Sequence, residues 1–440
     1  MSNNNLGIGG IGVELSDIEA SPTDLFVQPS MDTTFQEGYD IIIHPTNAIQ
    51  AEGPFEFTIQ EKDTDALLML DSVMIEGAYK IVNGDGTDIV AADSVSIINL
   101  TPQAMFDQVQ LTLNGMQIND SSSCRGYAYS SYIATQLSYG KEAKEGHLVL
   151  AGYHDDTLTA VNKNVVADSA ALVKRKTWIA LSRENFFSAK LECDLFNSNK
   201  ILHPKSKLTL LLTRSPNNFV IMSNEADADY KLAVTKLRLV VRKVRVNDAI
   251  LSEYVRSKTP ACYPIHHHKF RNFPLSRQPA ERIGNLFTDK LPYQIILGIV
   301  KTAAFHGSYL ENPWYFYHWN LNHICLKING RSYPATAFNP NFTTGDYVRE
   351  LRSFYDNCGV GQGTRGNISA DRWKDGNTFW VFDLTADRNG GYNIQPPKNG
   401  LVELEINFSA TPTENLTVLM YALFHEQISV DNNGQTLATY

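Results

Sequence analysis

The chain has 440 residues and a formal net charge of −9; 43% of its side chains are hydrophobic and only 19% are charged. That length exceeds one ordinary core, the composition excludes a disordered chain, and the acidic balance argues against a surface built as a whole to neutralise nucleic-acid phosphates. The longest apolar run, near Ile295 to Val300, falls far short of the roughly 20 residues of a membrane-spanning helix.

Residues 1–24 show no apolar period and read as a flexible N-terminal arm. The start, Met1-Ser2-Asn3-Asn4-Asn5, lacks the basic and apolar regions of a secretory signal, so synthesis in the cytosol is expected. Gly7-Ile8-Gly9-Gly10-Ile11-Gly12 spells a dinucleotide fingerprint. No strand precedes it and no helix follows, so no cofactor site is expected there.

Strand signals begin at Leu25-Phe26-Val27 and return at Tyr39 to His44, Phe55 to Ile59 and Leu67 to Tyr79, divided by Pro and Gly. Asn83-Gly84-Asp85-Gly86 marks a turn. Val109 to Leu113 alternates and runs into Asn114-Gly115, a strong hairpin signal. Tyr127 to Tyr139 carries apolar side chains at helical spacing, and 140–185 reads as polar loop around Lys174-Arg175-Lys176. Leu208 to Leu212 predicts a strand buried on both faces. Leu232 to Val246, with basic residues from Arg238 to Arg245 on alternate positions, predicts a half-exposed strand. Residues 251–290 read as a connector that includes His266-His267-His268. Beyond it, strands are expected at Tyr293 to Val300, Phe316 to Ile328, Phe379 to Leu384, Leu401 to Phe408 and Leu416 to Phe424, and a helix at Gly345 to Tyr355. Gly361-Gln362-Gly363-Thr364-Arg365-Gly366 follows that helix and reads as a loop.

Two of these stretches say the same thing 215 residues apart: Val109, Leu111, Leu113, Asn114-Gly115 and Ile324, Leu326, Ile328, Asn329-Gly330. Tyr132-Ile133 and Tyr347-Val348 keep the same spacing. A pattern repeated at half the length points to a duplicated domain. The expected fold is all-β: two consecutive eight-stranded jelly-roll sandwiches, a double jelly roll, with short helices in loops. The expected boundaries are an arm at 1–24, sandwiches at 25–250 and 291–430, the connector at 251–290, and a C-terminal tail at 431–440.

Several segments together resemble the double jelly-roll major capsid proteins of Polinton (Maverick) and adintovirus-like elements, of the adenovirus hexon-type lineage. They are Asp24-Leu25-Phe26-Val27, Gly38-Tyr39 with His44-Pro45, Gly53-Pro54-Phe55-Glu56-Phe57, Phe106-Asp107-Gln108-Val109, Leu113-Asn114-Gly115 and Leu137-Ser138-Tyr139-Gly140-Lys141. In the second half they are Asn285-Leu286-Phe287, Leu291-Pro292, Phe305-His306-Gly307-Ser308-Tyr309, Asn312-Pro313, His318-Trp319-Asn320-Leu321-Asn322 and Phe382-Asp383-Leu384-Thr385. The resemblance implies a structural virion protein. Its homotrimers would form pseudo-hexameric capsomers and tile an icosahedral shell, meeting each other and the penton and minor capsid proteins. No sequence-specific nucleic acid is implied, and an inner membrane is left open.

No catalytic, cofactor-binding or metal-binding residue is expected, since no G-x-S-x-G, H-E-x-x-H or P-loop motif occurs. At most two of the three adjacent histidines could share one ion, because neighbouring strand side chains point to opposite faces; a solvated connector is the plainer reading. The basic runs read as solvent faces. The aromatics Tyr127, Tyr129, Tyr132, Tyr139, Trp314, Tyr315, Phe316, Tyr317 and Trp319 read as core or subunit interface. The competing reading from another class, a two-domain β-sandwich glycan-binding protein or glycoside hydrolase, would use them as a sugar platform. The five scattered cysteines read as reduced.

Overall fold

The computed structural model describes residues 34–439 apart from 51–52, 61–65, 121–122, 157–163, 205, 359–367, 389–390, 392–393 and 432. The expected arm at 1–24, the Leu25–Val27 strand and the Gly361–Gly366 loop lie outside the described residues.

The first half contributes β1 (Phe35–Ile43), β2 (Phe55–Gln60), β3 (Met74–Asn83), β4 (Phe106–Leu113), β5 (Met116–Gln117), β6 (Asn185–Lys190), β7 (Lys207–Arg214) and β8 (Tyr230–Val246). The second contributes β9 (Ala261–Pro274), β10 (Ala280–Phe287), β11 (Gln294–Lys301), β12 (Leu321–Ile328), β13 (Arg331–Phe338), β14 (Trp380–Asp383), β15 (Val402–Phe408) and β16 (Leu416–Val430). The sheets of the first half run β1-β8-β3-β6 and β2-β7-β4-β5; those of the second run β9-β16-β11-β14 and β10-β15-β12-β13. Each of these sixteen strands thus has a counterpart eight places on, all their neighbours are antiparallel, and each set of eight is a jelly roll; two short pairs, Val95–Ile97 with Ile221–Ser223 and Phe316–Tyr317 with Asp375–Gly376, lie outside the scheme. Extra short strands extend both larger sheets, Ala66–Leu68 beside β8 and Thr436–Thr439 beside β16.

The repeated Asn-Gly explains itself at the two hairpins. Asn114 and Gly115 have φ of 49° and 88°, and Asn329 and Gly330 have 51° and 79°. A two-residue hairpin with left-handed backbone at both central positions matches strand twist and selects Asn then Gly. Each Asn also clamps the neighbouring strand. The Asn114 backbone N–H donates to Lys207 O at 2.8 Å, and its Oδ1 accepts from Lys207 N at 2.7 Å. Asn329 repeats both bonds with Leu401, at 2.9 and 2.8 Å. The Tyr echo is weaker. Both hairpins are followed by a helix, α1 (Gly126–Ser138) and one at Val348–Cys358, but Tyr132 sits in mid-helix while Tyr347 precedes its helix.

Four expectations need correction. Residues 251–290 are not a connector: β9 and β10 lie within them, β9 pairing along its whole length with β16. The join is the helix Asp248–Arg256, opened by Asn247 Oδ1 accepting from Ala249 N, plus the few residues before Ala261. Its polar and basic side chains hid β9, and two of them face a buried carboxylate. The 140–185 region holds α2 (Ala170–Ile179), with Ser169 accepting from Leu172 N as its cap. Leu208 to Leu212 is fully buried on one face only, at Leu208, Leu210 and Leu212; Thr209 and Leu211 are half-buried. The tail at 431–440 is drawn into the sheet through Thr436–Thr439.

Candidate functional site: the seam and the outer edges

One continuous core runs through both sandwiches. At the seam, α1 of the first half meets aromatics of the second. Tyr132 stacks on Trp314 with ring centroids 4.3 Å apart and planes 1° from parallel. Tyr129 is ringed by Phe219, Phe270, Phe305, Trp314 and Phe316 at 5.3–6.1 Å. Offset or edge contacts of this kind each add about 0.5–1.5 kcal/mol beyond area burial. Trp314 Nε1 donates to Asn99 O at 2.8 Å, satisfying its one polar atom across the seam.

Polar locks flank the aromatics. Arg175 on α2 is fully buried and donates to Asp156 Oδ1 at 2.7 Å, Ile97 O at 2.7 Å and His154 O at 2.8 Å. Arg372 of the second half reaches back to Asp155 Oδ1 at 2.7 Å. On the other side, Asp194 of the first half is buried between His267 and His268 of β9. Its Oδ2 is 2.8 Å from His267 Nδ1, and its Oδ1 bonds His268 Nδ1. Burial alone would raise the Asp194 pKa; the His268 charge and hydrogen bonds from both imidazoles outweigh it and hold the carboxyl well below its ordinary range. Burial likewise disfavours charged His268, but Asp194 outweighs it and raises the imidazole above its ordinary value. The solvated reading of His266-His267-His268 is therefore corrected. His266 is exposed, and the other two are buried structural partners of one carboxylate.

Lys174-Arg175-Lys176 is not a plain solvent face either, because Arg175 is interior; Ser169 marks the start of its helix, but nothing local marks Asp156 as its partner. The Arg238–Arg245 strand does present Arg238, Arg242 and Arg245 outward. Arg238 pairs with Glu76 at 2.9 Å and Arg242 with Asp40 at 3.3 Å, so two of these cations already have partners on adjacent strands. Of the aromatics, Tyr127, Tyr129, Tyr132, Trp314 and Phe316 are buried, and Tyr139, Tyr315, Tyr317 and Trp319 are half-buried or packed against the core. Tyr129, Tyr132, Trp314 and Phe316 form the seam, and Tyr315, Tyr317 and Trp319 pack on one another beside it.

Several large apolar side chains are exposed along β1. β1 is an edge strand, exposed on both faces from Phe35 to Asp40, with Phe35, Tyr39 and Ile42 exposed by 47%, 41% and 51%. On β6, the opposite edge of that sheet, Phe186 is 66% exposed. Edge strands with large apolar side chains are templates for association. Among the described residues, no helix is long and apolar enough to cross a membrane.

No model of a known protein family matches the chain. A Caenorhabditis elegans protein carrying the name uncharacterized protein F54H12.2 is 26% identical over 429 residues, covering 92% of this chain and 97% of that one. Among solved structures, the Sputnik virophage particle contains a chain that superposes with a TM-score of 0.64 at 11% identity, over 100% of this chain and 94% of that one. The PBCV-1 virus capsid gives 0.61 at 10% identity over 94% and 99%. The mavirus major capsid protein gives 0.53 at 10% identity over 100% and 97%. At these identities the likeness shows the fold, which is the double jelly roll.

Proposed function

We propose that this chain is a viral major capsid protein of the double jelly-roll class. It acts by assembly rather than catalysis, as homotrimers in which six similar sandwiches make a pseudo-hexagonal tile of an icosahedral shell. The observation that carries the reading is the one-to-one correspondence of strands between two fused sandwiches, β1–β8 with β9–β16. Three such chains close a ring with sixfold outline and threefold symmetry, which fills hexagonal positions. The shared fold of the Sputnik, PBCV-1 and mavirus capsid chains supports it, as does the exposed apolar edge at β1. The resemblance to Polinton and adintovirus-like proteins supports a finer reading, a virion protein made in the host cytosol that meets penton and minor capsid proteins. The glycan-binding alternative finds no support in the buried aromatics.

Sedimentation or mass photometry of the purified chain tests the reading. It requires a species near 148 kDa, three times the 49.2 kDa chain, able to build larger shells. A persistent monomer that fails to assemble at high concentration overturns it. A trimer carries three times −9, so it should bind duplex DNA only weakly at physiological salt.

A further inference from the structure

The second sandwich carries a side-chain cluster that the seam does not use. On β12, Ile324 and Leu326 point into the core with Leu404 and Ile406 of β15, so His323, Cys325 and Lys327 lie on the opposite face. Glu405 is the direct cross-strand partner of Cys325 on that face. Cys325 Sγ lies 3.7 Å from His323 Nε2 and 3.7 Å from Glu405 Oε2, and the three donor atoms all fall within 4.8 Å of one another.

This is a mixed thiol, imidazole and carboxylate set, the donor combination that suits zinc rather than calcium or magnesium. Zinc bonds of about 2.3 Å to sulfur and about 2.0–2.2 Å to nitrogen and oxygen imply tetrahedral edges of roughly 3.4–3.6 Å. The two sulfur-centred contacts need to close by only a few tenths of an ångström. The imidazole is also oriented for the task. His323 Nδ1 lies 2.9 Å from Asn339 Oδ1, an acceptor that places the proton on Nδ1 and leaves the Nε2 lone pair facing the thiol. Cys325 is buried while His323 and Glu405 are half-exposed, so a solvent ion has a way in.

We propose that His323, Cys325 and Glu405 bind one zinc-class divalent ion per chain, with water at the fourth tetrahedral position. Binding displaces the thiol proton to solvent as the thiolate takes the metal. Lys327 opposes it: its Nζ lies 3.4 Å from Glu405 Oε2 and 2.7 Å from Ser332 Oγ, and it must yield the carboxylate oxygen when the ion enters.

The test titrates the reduced full-length protein with Co2+ alone, then displaces it with Zn2+. The expected result is one Co2+ per chain, with tetrahedral visible bands and a thiolate charge-transfer band, and proton release on Zn2+ binding. Cys325→Ser should abolish the charge-transfer band and weaken affinity more than tenfold. Cys262→Ser, at an exposed cysteine elsewhere, should change nothing. Asn339→Ala, which frees the His323 ring, should weaken binding roughly 10- to 100-fold, and Lys327→Met should tighten it. If Cys325→Ser fails to fold, Glu405→Gln reads the same site through lost affinity with the thiolate band retained. Octahedral Co2+ without a thiolate band, or undiminished binding by a folded Cys325→Ser or Glu405→Gln variant, overturns the proposal.

Discussion

Replacing Asp194 with Asn tests whether the two sandwiches are held by a charged lock. Asp194 belongs to the first half and both of its imidazole partners to the second. All three side chains are at most 11% exposed. The substitution keeps the shape but removes the charge and one acceptor. Breaking a buried, hydrogen-bonded charge pair costs about 3–5 kcal/mol. For a 440-residue chain sharing one core each kilocalorie moves Tm by about 1 °C, so a drop of about 3–5 °C is expected near pH 6. The pH dependence distinguishes this lock from simple packing. The folded pKa of His268 is raised, so its contribution is complete below the ordinary imidazole value of 6.5 and fades as pH rises through the elevated folded value. The folded pKa of Asp194 is lowered, so its contribution is complete above the ordinary 3.8 and fades as pH falls through the depressed value. Wild-type stability from this group should therefore be greatest between about pH 4 and 6.5. Asp194→Asn should lose most there and least in alkali. Thermal melts of both proteins across that range decide it. Parallel wild-type and variant curves would refute the charged lock.

Asn329→Ala removes the side-chain acceptor for Leu401 N and the favoured left-handed residue of its hairpin, and should cost about 1–3 kcal/mol; Asn114→Ala should cost a similar amount through Lys207, measured by urea midpoint. Trp314→Ala opens the centre of the aromatic seam at about 3–5 kcal/mol and should speed proteolysis of the join around Asp248–Arg256, read on gels. Arg175→Met leaves Asp156 buried without its cation and should lower Tm more than Arg238→Met, whose partner Glu76 is part-exposed. Tyr39→Asp with Ile42→Asp should leave the circular dichroism spectrum intact and abolish the 148 kDa species.

Strands β2, β4 and β15 were legible because one face of each meets water, so they alternate visibly along the chain. The hairpins were legible because Asn-Gly is the local solution to a left-handed pair. β9 was not, because His267 and His268 are buried against a carboxylate 73 and 74 residues away, and polar residues satisfied over that distance look like a solvent-exposed run. Arg175 was missed because its partners, Asp156 19 residues back and Ile97 O 78 residues back, meet it only in the fold. Cys325 and His323 stand two apart in sequence, but their third partner lies 80 residues on, brought opposite only by the β12–β15 register.

The two sandwiches share a topology yet expose different edges, and that asymmetry bears on the proposed ring. β6 of the first half leaves Phe186 in solvent, whereas its counterpart β14 is buried along its length, with the Val348–Cys358 helix packed beside it. β1 presents Phe35, Tyr39 and Ile42 outward, whereas its counterpart β9 presents Cys262, Pro264, His266 and Arg271. Identical halves would offer the same edge twice and allow an endless or mismatched stack. Halves that differ make every contact head-to-tail, apolar edge against a different surface of the next chain. Such contacts close only where the rotation per step divides a full turn. In the proposed ring, duplication would supply six like wedges, and divergence at the edges would favour three chains over six independent sandwiches.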